Sequence, residues 1–220
     1  MRILGLSSAT KIISIGLIDE EKVLAETTIA DIQAEKIMFY VQEAGIRAED
    51  IDGVAVAAGP GSYSGLRGGL ATAKSLAQTL NKPLAGVPTL EAIAYNLINI
   101  EGTMAVILDA RADEYNFALF GASGGKLKRL TDDLVMKLET IVERLSLISG
   151  EIWLAGNTLG IRDQGLGDRK NLRFAEEAHS QPYGINVAKL GLLKLAAGLA
   201  ADPLALSPEY SHQPHFKEYH

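Results

Sequence analysis

Two rhythms of apolar residues alternate along this chain, and their order is the first clue to its architecture. Runs rich in Ile and Leu at residues 3–8 (ILGLSS) and 12–18 (IISIGLI) are separated by a small turn. VLAETTI at 23–29 follows the charged turn Asp19-Glu20-Glu21-Lys22. Short apolar runs bounded by turn residues read as strands, so this stretch predicts a three-stranded meander. Residues 31–45 then carry Ala34, Ile37, Met38, Val41, Ala44 and Gly45 at helical spacing, with Asp31 placed to cap the first turn. IDGVAVA at 51–57 predicts a buried strand stopped by Gly-Pro-Gly, and Leu66, Leu70, Ala73, Ala77 and Leu80 mark one face of a second helix. Residues 83–87 predict a short strand, and Thr89 is expected to cap a helix over 90–98.

The pattern then restarts. TMAVILD (103–109), YNFALF (115–120) and KLKRL (126–130) predict a second meander, a helix follows near 137–148, IWLAG at 152–156 predicts a buried strand, and 187–201 is the longest apolar helix. Aligning the two openings places Ser7 on Asp109 and Ser14 on Asn116. A meander followed by strand and helix, twice over, predicts an α/β chain with two mixed sheets flanked by helices. This is the duplicated, ribonuclease H-like plan of actin and the sugar kinases. Its halves would be residues 1–100 and a smaller, more divergent 101–220. A single doubly wound domain competes, but it does not predict the second meander.

Composition narrows the functions. Lys and Arg number 21 and Asp and Glu 27, a formal charge of −6, whereas gripping nucleic acid by charge alone needs a basic surplus. Cysteine is absent, which excludes thiolate metal sites and cysteine nucleophiles. The longest stretch free of charged residues, 53–66, contains Gly59, Pro60 and Gly61 and falls short of the ~20 apolar residues of a membrane span. The N-terminus lacks a sustained apolar core with a cleavage site. A soluble, unprocessed cytoplasmic protein with no membrane contact is the expectation. The 22 glycines exceed the roughly 15 that average usage gives.

Those glycines concentrate in GPGSYSGLRGGLATAKSLA, residues 59–77. A strand ends in Gly59-Pro60-Gly61, Ser62 or Ser64 can cap the helix that follows, and Tyr63, Gly65 and Arg67 complete the turn. A glycine-rich loop at a helix N-terminus suits an anion, so this segment is a candidate phosphate or nucleotide contact, or equally a tight turn with no ligand. It has neither the Walker spacing nor the Gly-x-Gly-x-x-Gly fingerprint. Gly65, Gly68, Gly69, Ala71, Ala73 and Ala77 also make the helix unusually small-sided. Interior helical glycine costs ~1 kcal/mol relative to alanine, which is explained if another helix, internal or from a partner, packs very close.

Other chemistry is sparse. Three of the four histidines, His212, His215 and His220, fall in the last nine residues, beside the lone His179, and no metal motif appears. Neither Ser62 nor Ser64 has a histidine base in view, and Tyr63 occupies the position of the nucleophile in a Gly-x-Ser-x-Gly elbow. Asp109, with Arg111 and Glu114 behind it, can bind Mg²⁺ or organise its turn by pairing with Arg111; the pairing role is favoured. Its first-half counterpart is Ser7, where duplicated kinase-like folds usually carry aspartate.

The loop at 59–77, followed by NKPLAGVPTLEAIA (81–94) and ILDARADEYNFALF (107–120), closely resembles the TsaB (YeaZ) family. Its members show Gly-Pro-Gly-Ser-Phe-Thr-Gly-Leu-Arg, a small-residue helix, a Pro-Leu-x-Gly-Val strand and a Leu-Glu-Ala-Leu-Ala helix. The match is continuous over about 51–120 and weak beyond about 160. The resemblance implies a catalytically silent relative of the TsaD enzyme that acts as its partner. With the ATPase TsaE, the pair installs threonylcarbamoyl on the adenosine next to the anticodon of tRNAs reading codons that start with A. It implies no cofactor on the chain itself, ATP or ADP only at the assembled complex, and tRNA contact only through the complex. An apolar helix face prepared for a partner can also pair with its own copy, so a homodimer is expected when TsaD is absent.

The expected interface is the pair of N-terminal helices, through Ala34, Ile37, Met38, Val41, Leu66, Gly69, Leu70, Ala73, Lys74 and Ala77. On this reading Ala73→Arg breaks the complex and leaves the chain folded. Three positions depart from the family pattern: Ser7-Ser8-Ala9 for Asp-Thr-Ser, Gln33-Ala34-Glu35 for His-Ser-Glu, and Pro208-Glu209-Tyr210-Ser211-His212 for Pro-x-Tyr-x-Arg. The competing function is an ATP-dependent small-molecule kinase of the same fold, or, less favoured, a peptidase. The kinase needs an aspartate where Ser7 stands, and the peptidase needs a metal or a nucleophile with its base.

Overall fold

Both meanders are present in the computed structural model, which describes residues 1–30, 33–158, 162 and 169–211. The first comprises β1 (Arg2–Ser7), β2 (Ile13–Asp19) and β3 (Lys22–Ile29). A 3₁₀ turn (Ala34–Lys36) leads into α1 (Ile37–Glu43). Then come β4 (Gly53–Gly59), α2 (Tyr63–Leu80), β5 (Leu84–Pro88) and α3 (Thr89–Ala94), which runs on into a 3₁₀ turn at Tyr95–Leu97. The second meander is β6 (Gly102–Asp109), β7 (Glu114–Ser123) and β8 (Lys126–Arg129). It is followed by β9 (Leu134–Lys137), α4 (Leu138–Ser146), β10 (Ile152–Gly156), β11 (Leu172–Phe174) and α5 (Gly184–Ala196).

Strand order establishes the duplication. The first sheet runs β3-β2-β1-β4-β5 and the second β8-β7-β6-β10-β11, with β9 also paired to β7. In each, the hairpin strands are antiparallel and the remaining strands lie parallel to the first strand of the meander or to one another. The single doubly wound sheet is therefore excluded. Register differs by one residue between the copies. Ser7 faces Ser14 across the first hairpin, whereas Asp109 faces Tyr115 and Asn116 faces Leu108 across the second. The second turn is the tighter one, closed by Ala110 N–H to Glu114 O at 2.9 Å, with Ala112 and Asp113 both at φ +57°. The positive φ at two consecutive residues is what a two-residue hairpin turn of this hand requires.

The helices that end each half pack on the opposite sheet. Leu90, Ile93, Ala94 and Leu97 from α3 and its extension join the core of the second sheet with Met104, Val106 and Phe120. Val187, Ala188 and Leu190 of α5 join the core of the first with Ile3, Ile15 and Val54. Gly5, Gly16 and Gly184 permit that crossing, since a Cβ at Gly5 or Gly16 would strike the α5 backbone. Asn186 on α5 locks the junction by donating to Asn96 Oδ1 at 2.6 Å and to Ala92 O at 3.2 Å.

Several boundaries move for local reasons. Ser62 is the N-cap of α2, accepting from Gly65 N at 3.4 Å, so that helix starts at Tyr63. Asn81, at φ +51°, ends it, with Lys82 N–H reaching Ala77 O, the left-handed closure that asparagine tolerates. Thr89 is the first helical residue of α3, not its cap, and its buried hydroxyl has no hydrogen-bond partner among the described residues. Gly198 at φ +75° stops the last helix with Leu199 N–H bonded to Lys194 O, so the predicted 187–201 helix instead spans 184–196. Asp31, proposed as a cap, and the histidines at 212, 215 and 220 lie outside the described residues.

Candidate functional site

The glycine-rich loop sits at the carboxyl end of β4, beside the β1–β2 turn. Its glycines are there because that turn lies directly against it. A Cβ at Gly61 would collide with Ala9 O, one at Gly65 with Ser8 O, and one at Gly69 with Ser8 Oγ. Ser62 N–H donates to Ala9 O at 2.7 Å and Ser8 Oγ donates to Gly65 O at 2.8 Å. Carbonyl oxygens of the chain itself therefore stand at the start of α2, where an anion would otherwise meet the helix dipole. Ser7 closes β1 nearby, 1% exposed, with its Oγ unpartnered among the described residues.

The small residues of α2 are likewise consumed inside the chain. Gly68 faces Ala34 Cβ, so the close helix neighbour is the 3₁₀ turn leading into α1. Of the ten residues expected at a partner interface, Ala34, Ile37, Val41, Leu66, Gly69, Leu70, Ala73 and Ala77 are buried in the first core or against it. Their face is packed within the chain's own core, so these eight residues are not open to a partner as the helical pattern led one to expect. Ala73 is 0% exposed, so Ala73→Arg perturbs folding instead of docking. Lys74 and Met38 do reach the surface.

The outward side holds these two together with residues outside the expected set. Met38 and Phe39 on α1 are 37% and 55% exposed, and Tyr63 at the start of α2 is 40% exposed. Arg67, Ala71, Ser75 and Gln78 continue the outer face of α2. After α5 the chain returns along the first sheet. Ala201 bridges Leu84, Leu206 packs on Gly86, and Glu209 N–H donates to Ala58 O at 2.8 Å. This strap ends beside α2, where Tyr210 stacks on Tyr63 at 5.0 Å and accepts from Arg67 Nε at 3.1 Å. The Arg67 guanidinium also lies 4.2 Å from the Tyr63 ring centre. Between strap and helix runs a groove of 330 Å³ lined by Arg67, Leu70, Ala71, Lys74, Pro208 and Tyr210. Partial burial, and Asp133 next, push the Glu209 carboxyl above the ordinary carboxylate range.

Asp109 is exposed at the end of β6, its N–H bonded to Asn157 Oδ1 at 3.4 Å. The turn after it is held by backbone bonds involving Arg111 and Glu114, and no ion pair joins Asp109 to Arg111 among the described residues. A cavity of 490 Å³ opens at the carboxyl ends of β10 and β11, lined by residues that include Thr158, Arg162, Arg173, Glu176 and Ser180. Among the described residues no group of three or more His, Asp or Glu side chains could hold a metal ion, and no helix is long and apolar enough to cross a membrane.

The family model described as TsaD: tRNA N6-adenosine threonylcarbamoyltransferase matches residues 30–152. A curated relative from Escherichia coli, named tRNA threonylcarbamoyladenosine biosynthesis protein TsaB, is 31% identical over 72% of this chain and 71% of its own. The chain belongs to the TsaB (YeaZ) family. TsaB from Bacillus subtilis is similar over nearly the whole length, 28% identical over 94% of this chain and 95% of its own. In structure, YeaZ from Pseudomonas aeruginosa superposes with a TM-score of 0.77 at 20% identity, covering 95% of this chain and 99% of that one. The duplicated actin-like fold is thus the TsaB fold. Two features of this TsaB member escaped the sequence pattern: the strap, whose signal was the Pro208-Glu209-Tyr210 motif near the end, and Phe39, whose signal was an aromatic turned away from the Ile37–Val41 face.

Proposed function

We propose that this chain is the non-catalytic partner of the threonylcarbamoyltransferase TsaD, supporting it with TsaE in threonylcarbamoylation of the adenosine next to the anticodon in tRNAs that read codons starting with A. The observation that carries this reading is the outer side of α1 and α2, where Met38, Phe39 and Tyr63 stand exposed beside Ala71 and Lys74. Exposed apolar residues on adjacent helices mark a protein-binding face. The interface assigned to TsaD is this side.

The absence of catalysis is supported by chemistry around β1. Ser7 supplies no carboxylate for a metal-bound phosphate, and Ser8 O and Ala9 O lie where phosphate oxygens would be repelled. ATP or ADP belongs to the assembled complex. Without TsaD the same face pairs two copies of the chain about a two-fold axis. The charge of −6 places tRNA mainly on other subunits. Purified TsaD and TsaE, given tRNA and threonylcarbamoyl-adenylate, test the role. Modification that depends on adding this chain is expected, and equal yield without it would refute the proposal. Calorimetry of the isolated chain with Mg²⁺-ATP separates the kinase alternative, which requires clear micromolar binding.

A further inference from the structure

Helix α2 carries Arg67 and Lys74 and no acidic residue anywhere in its length, within a chain that is acidic overall. Both cations line the groove between α2 and the strap, and among the described residues no carboxylate lines it with them. Arg67 is held by neutral partners, the Tyr210 hydroxyl and the Tyr63 ring. Lys74 has no hydrogen bond or ion pair among the described residues. The floor and far wall are apolar, formed by Leu70, Ala71 and Pro208. A groove with two uncompensated positive charges over an apolar floor is complementary to a segment that pairs carboxylates with an apolar side chain.

We infer that this groove receives an acidic segment of the docking protein, with an Asp or Glu carboxylate between Arg67 and Lys74 and an apolar neighbour on Leu70, Ala71 and Pro208. Tyr210 is a positioning residue, since its hydroxyl fixes the direction of the Arg67 guanidinium from the strap. This gives the Pro208-Glu209-Tyr210 motif a task at the partner face. The inference rests on the proposed TsaD partnership and adds which part of the face selects the partner and by what charge. An RNA strand suits the groove less well, because two cations on an acidic chain release few counterions.

Binding of the full chain to purified TsaD at 50 and 300 mM NaCl tests it, with Lys74→Glu, Arg67→Glu, Tyr210→Phe and the charge-matched control Lys128→Glu on exposed β8. The expected result is tenfold or greater weakening for each reversal at low salt, a smaller loss for Tyr210→Phe, and little change for Lys128→Glu. Salt should weaken the wild-type complex and have little effect on the reversed variants. Wild-type binding with unchanged affinity in both reversals would overturn the groove assignment and leave the partnership standing. Equal weakening by Lys128→Glu would reduce the effect to overall charge and also overturn it. Loss of tRNA retention by the reversals, with TsaD affinity intact, would reassign the groove to RNA. If the wild-type chain fails to bind TsaD, the partnership itself falls with it.

Discussion

Gly68→Ala sets helix propensity against packing and gives opposite signs for two accounts of the small-sided helix. Gly68 lies mid-helix in α2, where alanine normally gains about 1 kcal/mol. A Cβ there would stand under 3.0 Å from Ala34 Cβ, well inside the ~3.5 Å at which carbon atoms meet comfortably. Ala34 is 4% exposed and its methyl has no rotamer by which to retreat. Overpacking costs about 1–3 kcal/mol, and so close a contact with a side chain that cannot move takes the upper part of that range, about 2–3 kcal/mol, so after the propensity gain the net loss is about 1–2 kcal/mol. For a chain of this size that corresponds to a melting point lower by about 2–8 °C. Ala34→Gly makes the space, and the pair should show a coupling of about 1–2 kcal/mol in a double-mutant cycle read by urea denaturation. If small residues on α2 served a partner instead of the chain's own 3₁₀ turn, Gly68→Ala would raise the melting point. That result, or additive behaviour of the pair, would refute the packing argument.

Other substitutions separate folding from docking. Ala73→Arg forces a charge into a fully buried position and should cost more than about 4 kcal/mol, seen as loss of the thermal transition or of soluble protein. Ala71→Arg, on the exposed face, should leave the melting point within about 2 °C while converting a self-associated sample to monomer in light scattering. Glu209→Gln should stabilise the chain at pH 7.5 and lose that advantage near pH 4. The Glu209 carboxyl is raised by partial burial and by Asp133, so the penalty on its charged form is absent below the ordinary carboxylate range and appears as pH rises through the raised value. Melting curves of both proteins at the two pH values read the difference, and an unchanged gap would show that another group is responsible.

The order of elements was legible because its signals are local. Hairpin strands announce themselves as β-branched runs between charged or glycine turns, and the second meander at 103–130 repeated the first. The partners of each element were not legible. Periodicity placed Leu66, Leu70, Ala73 and Ala77 on one face of α2, and it is silent on whether a sheet of the same chain or another protein covers that face. A buried face inside a chain and one between chains use the same residues, so only the burial of Leu66, Leu70, Ala73 and Ala77 in the folded chain separates the two. α5 crossing to the first sheet depends on Gly5 and Gly16 admitting a helix from almost 170 residues later, and no window contains both. The three residues of β11 and four of β9 are too short to set up a period. Tyr210 reads as part of a terminal motif, yet its contact with Arg67 depends on the whole return of the strap.

Size-exclusion chromatography with light scattering, run on this chain mixed with TsaD from the same organism, tests the central claim most directly. The account predicts a single peak at the summed mass of the two proteins at micromolar concentration, and two separate peaks when the chain carries Ala71→Arg. Separate elution of the wild-type proteins under the same conditions would contradict it.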